Sequence, residues 1–552
     1  MVRRRRLLLL ACLAVGVPSA AANGEEDYAP PAYRRQATQA ISDAYVRGVV
    51  QFLAHDLLEG RAPGTRGDRL AQLYLATEFR KLGLEPALPG GAWLQPVPLV
   101  GMETACPSRL TFRGHNAQSV QAVFGRDYVA VAGQQRSVIA LDGAELVFVG
   151  YGMVAPEYDW DDYKDADVRG KVVVLLNSDP ADDPGLFEGK ARTYYGRWDY
   201  KYAEAARHGA AAALVIHTTE SAGYPWGVVQ SSWTGEQFQL RGVREPHPLI
   251  EGWITWDCAR RVFAMAGQDL ELLSASARRR TFRPVPLNVR LTARFSVRLR
   301  ALETANVVGM VPGSTRPDEA VVYTAHFDHI GKRTEGDGEE DRIYNGALDN
   351  ASGVAGLLAI ARAFARQHPR PKRSILFAAV AAEEQGLLGS RYLATHVPDR
   401  VERVVACLNL DGLNIWGRTR DLTVIGFGRT TLDRWLLRVA SWQGRIVKPD
   451  QFPDRGFYFR SDHFSFALEG IPAVSLDTGN EFIGRPPGWG REVMERWEKQ
   501  HYHRPSDEYQ ESWNLAGAIE DLTLWYLVGS EVADAEQLPS WTSRFARPRA
   551  PK

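Results

Sequence analysis

Acidic and imidazole side chains gather at or just beyond the ends of apolar, strand-like runs in the last half of the chain. Val321–Ala325 leads into His326-Phe327-Asp328-His329, and Phe377–Ala382 leads into Glu383-Glu384. Val404–Leu410 leads into Asp411, and Asn345–Gly353 carries Asp349 at the opening of a helix. The last cluster is His501-Tyr502-His503-Arg504-Pro505-Ser506-Asp507. In an α/β sheet the carboxyl ends of the strands are where loops present functional groups. Taken singly, each cluster has an ordinary explanation: a polar strand terminus, a helix cap or a solvated turn. Apolar strands that each stop at a metal-competent side chain are hard to explain by solvation alone.

The residue types fit a two-zinc site. Zinc takes imidazole nitrogen and carboxylate oxygen, and two ions about 3.5–4 Å apart need a shared anionic ligand. Two Zn²⁺ bring four positive charges. Asp349, Glu384 and Asp411 offset three and a bridging hydroxide the fourth, with His326 and His503 as neutral ligands. Adjacent side chains of a strand face opposite ways, so a Glu383-Glu384 pair at a strand end is expected to send Glu384 to the metal and keep Glu383 as general base. Asp328 and Asp507 are expected to take the second imidazole N–H of His326 and His503, as metal-bound histidines usually require.

These residues need a scaffold. The chain has 552 residues, 66 basic against 66 acidic, and 45% hydrophobic content, which suits two to four globular domains. A neutral balance removes the electrostatic case for nucleic acid. No apolar run is long enough to span a membrane. Arg3–Arg6, the apolar Leu7–Val17 and the small residues Ser19–Ala22 read as a secretory signal cut near Ala22, so the protein is expected to be exported, periplasmic or extracellular. Leu9-Leu10-Ala11-Cys12 can also be read as a lipoprotein box, although the apolar run continues past Cys12. The remaining Cys106, Cys258 and Cys407 are no disulfide framework; Cys407 reads as a buried thiol, and a Cys106–Cys258 bridge stays open. Expected elements include a helix over 67–82 ending at Gly83, strands over 144–150, 171–176, 320–325, 374–381 and 404–410, and helices over 201–208, 353–366 and 430–441. Strand–helix alternation after residue 284 argues for a sheet covered on both faces. Gly150-Tyr151-Gly152 imitates a dinucleotide fingerprint, but Pro156 and Tyr158-Asp159-Trp160 follow where a helix would have to start. H-E-x-x-H and G-x-S-x-G are both absent.

The ordered set AHFDHIG (325–331), NGALDNASG (345–353), AAEEQGLLGS (381–390), LNLDG (408–412), RSDHFSF (460–466), GIPAV (470–474) and YHRPSDEY (502–509) resembles the M28 family of zinc metallopeptidases. The resemblance implies an α/β fold, a mixed β-sheet sandwiched by helices. It also implies two Zn²⁺ per chain, with Asp349 bridging, Glu383 as base, and His326, Glu384, Asp411 and His503 as further ligands. His501 is a rival to His503, and the following Arg-Pro-Ser-Asp favours His503. Asp462 and His463 fall in a family motif near the pocket and are expected to line it or to play a structural part. VFVGYGMVAPEYDWDDYKDADVRGKVVVL (147–175) and KYAEAARHGAAAALVIH (201–217) resemble an inserted protease-associated domain, a β-rich lid or docking module. DLLEGRAPGTRGDRLAQLYLATEFRKLGLEP (56–86) resembles the start of M28 exopeptidases. The expected organisation is a signal peptide over 1–22, a first part of the catalytic domain over 23–115, the inserted domain over 116–283 and the catalytic domain over 284–552. The implied activity is an aminopeptidase acting on peptides, with an M28-like carboxypeptidase or amide deacylase as the alternative.

Overall fold

The computed structural model describes residues 29–180, 183, 185–242, 246–333 and 341–542. The stretch over 1–22 read as a secretory signal, Cys12 included, lies outside the described residues. Helix α1 (Asp43–Leu53) precedes α2 (Arg66–Leu82). Thr65 accepts the Asp68 N–H at the start of α2, and Gly83 ends it at φ 80°. Both termini thus satisfy backbone groups that a helix cannot satisfy internally.

Strand β1 (Leu94–Ala105) leads into a unit with its own core, containing β2 (Val138–Phe148), β3 (Val172–Leu176), α3 (Trp198–Arg207), β4 (Ala212–His217) and β5 (Ile250–Thr255). β3 pairs in parallel with β2 and β4, and β4 in parallel with β5. The unbroken apolar runs of β3 and β4 are buried on both faces, as parallel strands usually are. This core draws on residues from Val100 to Val297.

The long β6 (Val285–Val311) joins this unit to the rest of the chain. Its first half alternates: Leu287, Val289, Leu291, Phe295 and Val297 are buried, while Arg290, Arg294 and Arg298 face outward. Its last residues, Val307–Val311, are buried throughout and pair antiparallel with the strand over Arg373–Val380. The period-2 pattern therefore records where one face meets water and where neither does.

The strands that follow include β7 (Arg316–His326), β8 (Arg373–Val380), β9 (Arg403–Leu410), β10 (Asp421–Ile425) and β11 (Ala473–Asp477), in the order β6-β8-β7-β9-β11-β10. The four central strands β8, β7, β9 and β11 are parallel. The helices of this part include α4 (Gly353–Arg366), α5 (Asp433–Trp442), α6 (His463–Leu468), α7 (Trp489–His501) and α8 (Ala516–Asp534). α4 is built from Gly, Ala, Leu, Val and Ile on nearly every side and is buried almost all round, against α1, α2 and α8. A second core, with α6, covers the opposite face of the sheet. The fold is thus a mixed α/β sandwich around one large sheet. Among the described residues no helix is long and apolar enough to cross a membrane. Cys106, Cys258 and Cys407 are unbridged, and Cys106 Sγ donates to the Ala130 carbonyl instead.

Candidate functional site

The carboxyl ends of the parallel strands converge on one cleft. His326 is the last residue of β7 and Asp411 follows β9 directly. Asp349 lies in the irregular turn before α4, and His503 just after α7. His326 Nε2 stands 3.3 Å from Asp349 Oδ1 and 3.4 Å from Asp411 Oδ1. His503 Nε2 stands 3.2 Å from Asp349 Oδ2 and 3.1 Å from Glu384 Oε2. The two oxygens of Asp349 therefore face two different imidazoles. Donors arranged tetrahedrally about one ion at about 2.0–2.1 Å stand roughly 3.3 Å apart, so these separations suit metal-sharing donors, and the N/O donor set suits zinc. Glu383 reaches the same space, with donor atoms of His326, Glu383 and Asp411 all within 4.8 Å of one another. The side chains of His326 and Glu384 are 1% and 7% exposed, against 31% and 35% for Asp411 and His503, so the site opens on the side of the latter pair. His501 turns away, its Nδ1 3.0 Å from the Ser506 carbonyl.

The supporting contacts differ from the sequence expectations. Glu383 and Glu384 are not strand residues: β8 stops at Val380, and a turn with Ala382 at φ 56° separates the two carboxylates. The turn is held by Asp328, whose carboxylate accepts the Glu383 N–H at 3.0 Å and approaches the Glu384 N at 3.4 Å. Asp328 does not orient His326 through its side chain; the two are 3.9 Å apart at closest, and His326 Nδ1 faces the Asp328 carbonyl at 3.2 Å. Asp507 likewise accepts the backbone N–H of Leu348 and Asp349 rather than one from His503. Backbone donors in a tight loop have no other partner, so they claim these carboxylates first.

Asp462 and His463 are buried at the start of α6, and neither belongs to the donor groups around the cleft among the described residues. His463 packs edge-on to Tyr458 at 4.9 Å, and burial lowers its imidazole to about 3, which keeps it neutral. Burial raises the Asp462 carboxyl to about 6, with His326 opposing.

Three residues that shape the site were not singled out from the sequence. Arg61 is fully buried and donates to the carbonyls of Phe327, Asn345 and Gly346, and to that of Leu53. It ties the loop after His326 to the loop before Asp349. Asn350 donates to the Leu410 carbonyl and accepts the N–H of Gly412 and of Gly353. It thereby joins the Asp349 turn to both flanks of Asp411 and caps α4, a part the sequence would give to Asp349. His329 is buried against Glu384. The signal for Arg61 was a charged residue within the Gly-rich GRAPGT segment; nothing in the spacing named its four carbonyls.

The protein's own charges push the adjacent glutamates apart. Burial raises the Glu383 carboxyl well above its ordinary range, reinforced by Glu384 and Asp411 and opposed by His326. Burial acts to raise Glu384 too, but His503 and His329 outweigh it and hold the carboxyl at about 2. Neighbouring carboxyls with opposite shifts are the pattern of divided roles, one proton carrier and one permanent anion. A cleft of about 750 Å³ lies beside His503, lined by Arg333, Tyr344, Gln500, Arg504 and Glu508 among others.

A mixed sheet with acidic and imidazole groups at its parallel strand ends defines a class of metal-dependent hydrolase scaffolds. Residues 306–527 match the profile of Peptidase family M28. An aminopeptidase from Aneurinibacillus sp. strain AM-1 shares the fold, with a TM-score of 0.51, 20% identity, and coverage of 92% of this chain and 97% of that one. A probable zinc metalloprotease of Leptosphaeria maculans is 39% identical over 107 residues, which is 19% of this chain and 24% of that protein. Aminopeptidase NAALADL1 of Mus musculus is 35% identical over 119 residues, 21% of this chain and 14% of that protein. The matched stretches thus span a quarter or less of these relatives' length.

Proposed function

We propose that the protein is an exported zinc exopeptidase, an aminopeptidase that removes N-terminal residues from peptides with two Zn²⁺ per chain. The observation that carries this reading is the placement of Asp349 between His326 and His503, one carboxylate oxygen toward each. His326, Asp349 and Asp411 would hold one ion; Asp349, Glu384 and His503 would hold the other. The zincs, when bound, supply Lewis acidity to the scissile carbonyl and acidify water toward neutral pKa. Glu383 then serves as the proton carrier: its carboxylate takes a proton from the attacking water and returns it to the leaving amine. Its raised affinity for protons, set against the permanent negative charge of Glu384, supports that division. Asp328 and Asp507 keep the ligand loops in register by holding their backbone N–H groups. The relatives named as aminopeptidase and zinc metalloprotease support the substrate class and the metal. The Arg3–Arg6 and Leu7–Val17 sequence supports export. The separate core of the middle unit supports a lid or docking module of the protease-associated kind.

Arg333 and Arg504, which line the cleft, favour a second reading, an M28-like carboxypeptidase or amide deacylase, since a guanidinium recognises carboxylates. Hydrolysis of an aminoacyl-nitroanilide panel, run beside N-acetylated substrates and the Glu383→Ala variant, separates them. Cleavage only with a free amine, lost in the variant, is the expected outcome. Cleavage of the N-acetylated series, or of peptides from the carboxyl end alone, would replace the aminopeptidase reading.

A further inference from the structure

His329 is fully buried, and neither of its ring nitrogens has an aligned hydrogen bond. Burying both polar atoms of an imidazole without a partner is costly. Its Nδ1 lies 2.6 Å from Glu384 Oε1, itself a buried atom with no aligned partner. The other oxygen, Oε2, is the one facing His503. The ring has little room to move away. It meets His503 at 77° with centroids 5.6 Å apart, and Gly346 lies so close that a Cβ there would stand 2.6 Å from the His329 Cγ.

The distance separates two roles. Imidazole and carboxylate donors that share a site here stand 3.1–3.4 Å apart, close to the roughly 3.3 Å edge of a tetrahedral zinc shell. At 2.6 Å, His329 and Glu384 are too close for two such ligands. That length is in the range of a charge-assisted hydrogen bond, which a small rotation of the carboxylate or ring would align. We propose that His329 is a positioning residue: it donates Nδ1–H to Glu384 Oε1 and so aims Oε2 at the second metal position. This inference rests on the two-zinc reading above. It gives a part to the imidazole three residues beyond His326, whose ring groups with the Asp349 and Glu384 donors.

The test is zinc titration against a competing chelator for the full-length mature protein, with the His329→Ala and His329→Asn variants. Thermal unfolding of each metal-free protein is measured beside it. Asn can present an N–H near the position of Nδ1, whereas Ala cannot. The expected result is that wild type binds two ions. His329→Ala then keeps one at wild-type affinity and binds the other about 10–100-fold more weakly, and Asn restores most of that loss. If Ala binds both ions as wild type does, His329 positions nothing. If neither variant holds the second ion, and both retain metal-free stability, His329 is a ligand and the proposal fails. Should Ala not fold, Asn decides alone: near wild-type affinity supports the donor role, and a loss beyond about 100-fold overturns it. Fewer than two ions in wild type would instead remove the two-zinc reading on which the proposal rests.

Discussion

The carboxylate of Asp507 accepts the backbone N–H of Asp349 at 3.0 Å, so one acidic residue fixes the loop that carries another. The same carboxylate takes the Leu348 N–H at 2.9 Å. Asp507→Ala should leave these donors unpaired and free the turn that aims Asp349. Supporting contacts of this kind typically govern metal affinity by about 10–100-fold. Zinc titration is expected to show weakening at both ions, because Asp349 faces both imidazoles. Weakening confined to one ion would contradict a shared role for Asp349.

Glu383→Gln should retain both ions and lose about 10²–10⁴-fold in kcat, the usual worth of a positioned general base. Gln preserves the volume and leaves the metal-facing carboxylates untouched. Elemental analysis beside the rate measurement checks the assignment, since loss of zinc from a folded variant would make Glu383 a ligand instead.

Arg61 carries its charge into the core, where burial lowers its pKa to about 10 while Asp328, Asp507, Asp349 and Glu384 oppose the shift. It therefore stays protonated at neutral pH. Arg61→Met should cost about 1–3 kcal/mol for each carbonyl it leaves unpaired in a buried site. Arg61→Lys should recover only part of this, since one ammonium cannot reach carbonyls spread around a guanidinium fork. Urea midpoints of the three proteins check the order.

Arg445 and Asp521 form a buried pair at 2.6 Å, and burial holds the Asp521 carboxyl up at about 6 even though Arg445 opposes the shift. A folded-state value above the ordinary carboxyl value means that the folded protein binds this proton more tightly than the unfolded chain does. The contribution of Asp521 to stability is thus full below about pH 4 and lost as pH rises through about 6. Arg445→Leu removes the compensating charge and should raise the carboxyl further. The stability gap between variant and wild type should be widest near about pH 8 and narrow toward about pH 5. A gap independent of pH in urea titrations of the metal-free proteins would show that lost hydrogen bonds to Thr419 and the Asp421 carbonyl, not the unpaired charge, dominate.

How far the sequence reached can be judged residue by residue. α4 starts and ends at the residues read from its pattern, Gly353 and Arg366, because an apolar run bounded by Ser352 and the polar Gln367-His368-Pro369 leaves few alternatives. The candidates His326, Asp349, Glu383, Glu384, Asp411 and His503 were legible for a similar reason: a charged or imidazole group directly after an apolar strand is conspicuous. The separation of Glu383 from Glu384 was reasoned from strand alternation, yet it comes from a turn beyond β8.

By itself the sequence determined the order of elements, the alternation that makes β6 one-sided and then two-sided, and the supply of carboxylates and imidazoles at strand ends. These depend on local pattern and on the chemistry of single side chains. Only the tertiary structure decided that Asp328 and Asp507 serve backbone N–H groups, that Arg61 spans two loops, that Asn350 joins the flanks of Asp411, and that His329 meets Glu384. The physical reason is competition: a buried donor takes whichever acceptor packing brings within reach, and packing among residues hundreds of positions apart is written in no local stretch of the chain.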